Sequence, residues 1–272
     1  MNTNFSDKAA YYQASAYVQH SAGKRLLSLL NIQGHESVLD VGCGPGMATA
    51  RIAALTRNRV LGVDNAPGMI ETAKTSQKTM PNLDFTVADA TQLGFDQEFD
   101  VIYCNSAFQW FAEPVRAVKN FYRALNYGGR VGMQAPATAT YCPNFLAAVD
   151  RVRESQTAAH VLATFRSPWF FLASPDGYRD LFERAGFHIT YCAIQEDSQA
   201  LSPEHVYQNF QVGAENGYLD PANYAAPLTA EYLQEFRRIV HDAFLAQAGT
   251  SGQVNLIFKR VYILAGKPPD SL

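Results

Sequence analysis

The chain has 272 residues, 47% of them hydrophobic, with 22 Lys+Arg against 25 Asp+Glu and a formal net charge of −3. This balance lacks the basic footprint of a nucleic-acid binder. With no apolar run of about 18 residues, nothing reads as crossing a membrane. Residues 1–7 lack the charged-then-apolar pattern of a secretory leader. Cys43, Cys104, Cys142 and Cys192 are far apart and show no C-x-x-C spacing. They read as free thiols of a cytoplasmic protein, and no metal site is expected.

Residues 7–31 read as a helix. From 37 to 136 short apolar runs alternate with amphipathic stretches. Strands are predicted at 37–42, 59–64, 83–88, 99–105 and 130–135, and helices at 46–56, 67–77 and 113–126. This is the pattern of βαβ units, which build a parallel sheet with right-handed crossovers. Val38-Leu39, Val60-Leu61 and Val101-Ile102 are continuous apolar cores, as in strands buried on both faces. Asn126-Tyr127-Gly128-Gly129 reads as a helix C-cap and turn. Residues 137–173 are rich in aromatics without strand alternation. A helix follows at 174–186, capped by Ser174 and ended by Gly186, and then a strand at 187–194. Residues 203–248 read as helices broken by Gly217, Pro221 and Pro227, and a long strand over 256–264 closes the chain. The expectation is one α/β domain over 1–272 with a cofactor-binding core at 36–136. Segments 137–173 and 203–250 form a cap above the strand ends.

The chemistry concentrates after the first strand. Asp40-Val41-Gly42-Cys43-Gly44-Pro45-Gly46 places alternating glycines between a strand and a helix, where the backbone can approach a ligand and the helix offers free N–H groups. Asp64 ends the second strand, in position to accept ribose hydroxyls. The dinucleotide spacing is G-x-G-x-x-G, whereas here it is G-x-G-x-G. D-x-G-x-G-x-G resembles motif I of class I S-adenosylmethionine-dependent methyltransferases. Asp64-Asn65-Ala66-Pro67-Gly68-Met69, Ala88-Asp89-Ala90, Phe99 to Asn105 and Leu125 to Gly129 resemble the later motifs of that family. The resemblance implies a Rossmann-like, seven-stranded, mostly parallel sheet whose last strand is antiparallel. It implies S-adenosyl-L-methionine as cofactor, with S-adenosyl-L-homocysteine as product. The residues it places at the cofactor are Tyr12, Asp40, Gly42, Cys43, Gly44, Gly46, Asp64, Asn65, Met69, Asp89, Ala90, Asn105 and Gln109.

Phe5, Tyr12 and Gln19 are seven residues apart, so a continuous helix puts them on one face. With Asn105-Ser106-Ala107-Phe108-Gln109-Trp110 they resemble a methyltransferase group acting on carboxylates. That group includes trans-aconitate, malonyl-carrier-protein and juvenile hormone acid methyltransferases. The resemblance implies that Gln19 and Trp110 hold the substrate carboxyl. A carboxylate with a pKa of about 4 is ionised at pH 7 and needs no general base. The expected acceptor is a small molecule, a carboxylic acid or a carrier-protein-bound acid, methylated to an ester. The alternative is N- or C-methylation of a secondary metabolite. His20 reads as a surface residue and residues 150–154 as an exposed charge run.

Overall fold

In the computed structural model, residues 17–77 and 80–270 are described. The chain begins with α1 (Tyr17–Leu30), β1 (Val38–Val41), α2 (Met47–Ala53), β2 (Val60–Asp64), α3 (Pro67–Ser76) and β3 (Leu83–Val87). It continues with β4 (Phe99–Asn105), α4 (Pro114–Ala124), β5 (Leu125–Pro136), α5 (Pro143–Arg153), α6 (Ala159–Leu162) and α7 (Pro175–Glu183). The last elements are β6 (His188–Leu201), α8 (Pro203–Gly213), α9 (Glu215–Tyr218), α10 (Ala230–Gln247) and β7 (Val254–Gly266). The sheet order is β3-β2-β1-β4-β5-β7-β6. β1 to β5 pair in parallel, and β7 runs antiparallel to both β5 and β6. This is the Rossmann-like seven-stranded sheet expected from the sequence.

The continuous apolar runs of the inner strands serve two faces, because successive side chains alternate. Val38 packs with Leu26, Ile52 and Ile70 on the face of α1–α3. Its neighbour Leu39 packs with Val118, Phe121 and Phe182 on the face of α4 and α7. Helices α3, α4, α5, α7 and α8 each begin on a proline. That residue is favoured there because its missing N–H has no partner in the first turn anyway. Ser174 caps α7 as the sequence predicted, accepting from the Gly177 N–H.

A third cluster, separate from the two sheet faces, fills the cap. It joins α5, α8 and α10 through Phe145, Phe210, Phe236 and Phe244, all buried. Three expectations shift. The strand predicted at 187–194 runs from His188 to Leu201, because β7 offers it a paired edge down to Val254. The turn predicted at 126–129 belongs instead to β5, which starts at Leu125 with a register shift against β4. Gly217 does not break a helix; it lies within α9. A Cβ there would sit 2.3 Å from the Trp169 ring, so the glycine makes room for that indole.

Candidate active site

β1 lies between β2 and β4, so the chain order reverses beside it, and such a switch point opens a crevice at the strand ends. A cleft of about 730 Å³ occupies it. Gly42 has φ +74, and a Cβ on it would lie 2.2 Å from the Ala107 Cβ. The loops after β1 and β4 therefore touch, and only glycine fits at that contact. Gly44 also has positive φ, +53, but a Cβ there would meet nothing within 4 Å. Its backbone is open to the cleft. The Asp64 carboxylate holds the loop: Oδ2 accepts from the Gly44 N–H and Oδ1 from the Ala66 N–H, each at 2.9 Å.

The structure brings most of the sequence-predicted residues together. Asp40, Gly42, Cys43, Gly44, Asp64, Asn65, Met69, Asp89, Ala90, Asn105 and Trp110 all line the cleft. Asp89 is also the cap of a helical turn, accepting from the Thr91 N–H and hydroxyl at 2.7 Å. Two do not line it. Gly46, with φ +83, caps α2 and packs against Phe85. Gln109 donates to the Ser106 carbonyl and borders a separate small cavity. Tyr12 lies outside the described residues. Gln19 lies on α1, and its side chain is not among those described.

Some cleft residues were missed by sequence reasoning. Gly23 of α1 sits so close that a Cβ would be 2.7 Å from the Tyr103 hydroxyl, which lays the helix backbone over β4. The Tyr103 hydroxyl is buried without a hydrogen-bond partner, and Tyr103 lines the cleft. Such an orphaned polar group fits a site completed by a polar ligand. Tyr103 lies inside the Phe99–Asn105 motif, but reads there as one more residue of a buried strand. Arg166 and Asn223 reach the cleft from the cap, and no local pattern connects them to it.

Residues 39–133 match a family described as a methyltransferase domain. Over those residues the chain carries a methyltransferase domain, and it is similar to S-adenosylmethionine-dependent methyltransferases. It is 33% identical over 143 residues to a malonyl-[acyl-carrier protein] O-methyltransferase of Ilyobacter polytropus, a match covering 52% of this chain and 53% of that one. The chain thus spans about half the length of that relative. It is 28% identical to a trans-aconitate 2-methyltransferase of Variovorax paradoxus over 90% of this chain and 92% of that one. A Haemonchus contortus phosphoethanolamine N-methyltransferase, solved with S-adenosylhomocysteine, matches 97% of this chain and 57% of its own. Its TM-score is 0.58 at 16% identity, a likeness of fold.

The cofactor of the methyltransferase is S-adenosyl-L-methionine, and the open backbone at Gly44, the acid at Asp64 and the orphaned Tyr103 hydroxyl fit it. Among the described residues no group of His, Cys, Asp and Glu could hold a metal ion. No described helix is long and apolar enough to cross a membrane. The four cysteines are free. Burial pushes the Asp40 carboxyl up to about 7, while the Thr49 hydroxyl, donating at 2.7 Å, pulls the other way and Asp64 adds repulsion. Burial also pushes Asp64 up, against the pull of its two amide bonds.

A raised folded pKa favours the protonated acid in the fold. Stability is therefore lost as pH rises from the unfolded carboxyl value through the folded one. For Asp40 that window runs from 3.8 to about 7. The full penalty of ionisation is on the order of 4 kcal/mol, at about 1.4 kcal/mol per decade of pH. The ligand-free methyltransferase should melt at lower temperature at pH 8 than at pH 5.5, and Asp40→Asn should flatten that slope. Parallel slopes in the two proteins, followed by scanning calorimetry, would remove Asp40 as the cause.

Proposed function

We propose that this chain methylates a carboxylate oxygen of a small acid, giving a methyl ester. The observation that carries the reading is the composition of the cleft wall beyond the glycine loop. Trp110 and Asn105, two neutral donors, stand there. A hydroxyl acceptor needs a base to take its proton, whereas a carboxylate arrives ionised. Neutral donors then suffice to orient it.

When bound, S-adenosylmethionine supplies an electrophilic methyl group on a sulfonium. The residues of the chain bind, align and dry the reacting pair. Trp110 sits on the helical turn Phe108–Trp110 after β4, half-buried, its ring 5.6 Å from Trp169 of the cap. Ser106, at φ +56, makes the strained bend that turns the chain from β4 into this segment. The indole N–H is suited to hold one carboxylate oxygen while the other attacks in line. Gln19, on α1, is proposed as the second donor. The rings of Trp110 and Trp169 give this side of the site an apolar wall, and a dry wall strengthens such contacts. The names of the malonyl-carrier-protein and trans-aconitate relatives support an acid acceptor, either free or carried on a protein.

The test is labelled methyl donor with purified protein and a small-molecule extract, followed by mild base. Label released as methanol is the expected result. Base-stable label would point to nitrogen, carbon or ether methylation and overturn the ester reading. Trp110→Ala should lower kcat about 100- to 1,000-fold, the range for losing one preorganised donor. Trp110→Phe keeps the ring and loses the N–H, so full activity in that variant would reduce Trp110 to packing.

A further inference from the structure

Behind the cleft lies a second cavity of about 50 Å³, bordered by Ser106, Gln109, Tyr141, Trp169, Phe258 and Arg260. It has room for about three or four water-sized groups. Ser106 borders both spaces, and the Trp110–Trp169 pair stands where they meet. Its wall is rich in aromatic rings, yet residues on its border carry buried polar atoms that the fold leaves unsatisfied. The Gln109 Oε1 is buried with no hydrogen-bond partner. The Tyr141 hydroxyl also lacks one of ordinary geometry, its polar neighbour being the Tyr218 hydroxyl. So does the Nε of Arg260, a residue only 2% exposed.

Arg260 is the unusual member. A guanidinium stays ionised, and burying a charge is costly unless it is paired. The carboxylate beside it, Asp197, is 3.6 Å away and 45% exposed, beyond hydrogen-bond distance. The Phe258 ring, 4.5 Å from its Cζ, compensates in part. No carboxylate lines the cavity. In the orientation that satisfies both ends of its amide, Gln134 accepts from Arg260 Nη1 at 3.0 Å. It then donates to Asn105 at 2.7 Å and Ser106 at 3.0 Å. Arg260 is thereby tied to two residues of the cofactor cleft.

We propose that this cavity is the far subsite of the acceptor pocket and that Arg260 is its specificity-determining residue, receiving a second anionic oxygen group of the acceptor. This rests on the methyl-transfer reading above and extends it. The acceptor would be a short acid carrying a carboxylate at each end: one beside Trp110 for methylation, one against Arg260. The cavity admits a carboxymethyl-sized end and is too small for a ring.

The test is calorimetric binding to the full chain loaded with S-adenosylhomocysteine. Succinate and glutarate are compared with butyrate, pentanoate and benzoate. Diacids should bind at least about 10-fold more tightly than monoacids of equal length. Arg260→Met should abolish that preference while the protein still binds S-adenosylhomocysteine, since Arg260 reaches the cofactor cleft only through Gln134. Its melting temperature should hold or rise, because replacing an under-paired buried charge by an apolar side chain is often neutral or stabilising. Arg260→Lys should restore part of the preference. Wild-type protein that prefers benzoate, or shows no diacid preference, would overturn the proposal without recourse to any variant. Diacids failing to bind a protein that does bind S-adenosylhomocysteine would overturn this proposal alone. Failure to bind S-adenosylhomocysteine would overturn the methyl-transfer reading and this one with it.

Discussion

Asp64→Asn is expected to weaken S-adenosylhomocysteine binding about 100-fold or more, because charge-assisted hydrogen bonds contribute roughly 1.5–3 kcal/mol each. On this prediction the carboxylate does two jobs at once. It pins the glycine loop by accepting from the Gly44 and Ala66 amides. Its remaining lone pairs are placed at the end of β2, where ribose hydroxyls are bound in such folds. An asparagine keeps one acceptor and turns an N–H₂ toward a backbone N–H, so one amide loses its partner and the loop its anchor. Ligand-free stability should change little by comparison, because the same substitution removes a carboxylate that burial disfavours. Isothermal titration calorimetry and thermal melts on the same preparation separate the two effects. Binding within about threefold of wild type would show that the acid only shapes the loop.

Phe210→Ala should cost about 3–5 kcal/mol of stability, the range for removing a buried phenyl ring and leaving a cavity. Phe210 is fully buried at the centre of the cap. Its ring lies 5.2 Å from Phe145 and 5.9 Å from both Tyr218 and Phe244, with Phe236 at 6.3 Å. Collapse around the lost ring would have to move α5, α8 and α10 together, so relaxation is limited. Urea unfolding followed by fluorescence measures the loss. S-adenosylhomocysteine affinity should hold within about threefold, since Phe210 does not line the cleft and distant sites behave additively. A loss of less than about 1 kcal/mol would mean that the cap repacks freely, contrary to a close-packed interior.

The two predictions draw on different kinds of information. The position of Asp64 was legible in the chain because it follows from local geometry: an acid at the end of a strand, a fixed distance after a glycine turn. The same holds for Gly42, Gly44, Met69 and Asp89, all of which line the cleft. Gly46 and Gln109 belong to motifs of the same kind, but their side of the backbone faces elsewhere. Gly46 caps α2 against Phe85, and Gln109 turns away from the cofactor cleft toward the second cavity. A motif specifies the residues of a turn but not which of them look into the crevice.

Local order and alternation were enough to determine the parallel core and the cofactor loop, because βαβ units and strand-end turns are short-range structures, while the antiparallel closing strand was implied only by the family resemblance. Only the tertiary structure decided what lies behind Ser106. Arg260 stands in a strand 154 positions further along the chain and reads there as an ordinary alternating charge. It becomes a buried, under-paired guanidinium because β7 inserts between β5 and β6 while α5, α8 and α10 close over its end. Burial and charge pairing are properties of distant segments brought together, so no window of the sequence contained them.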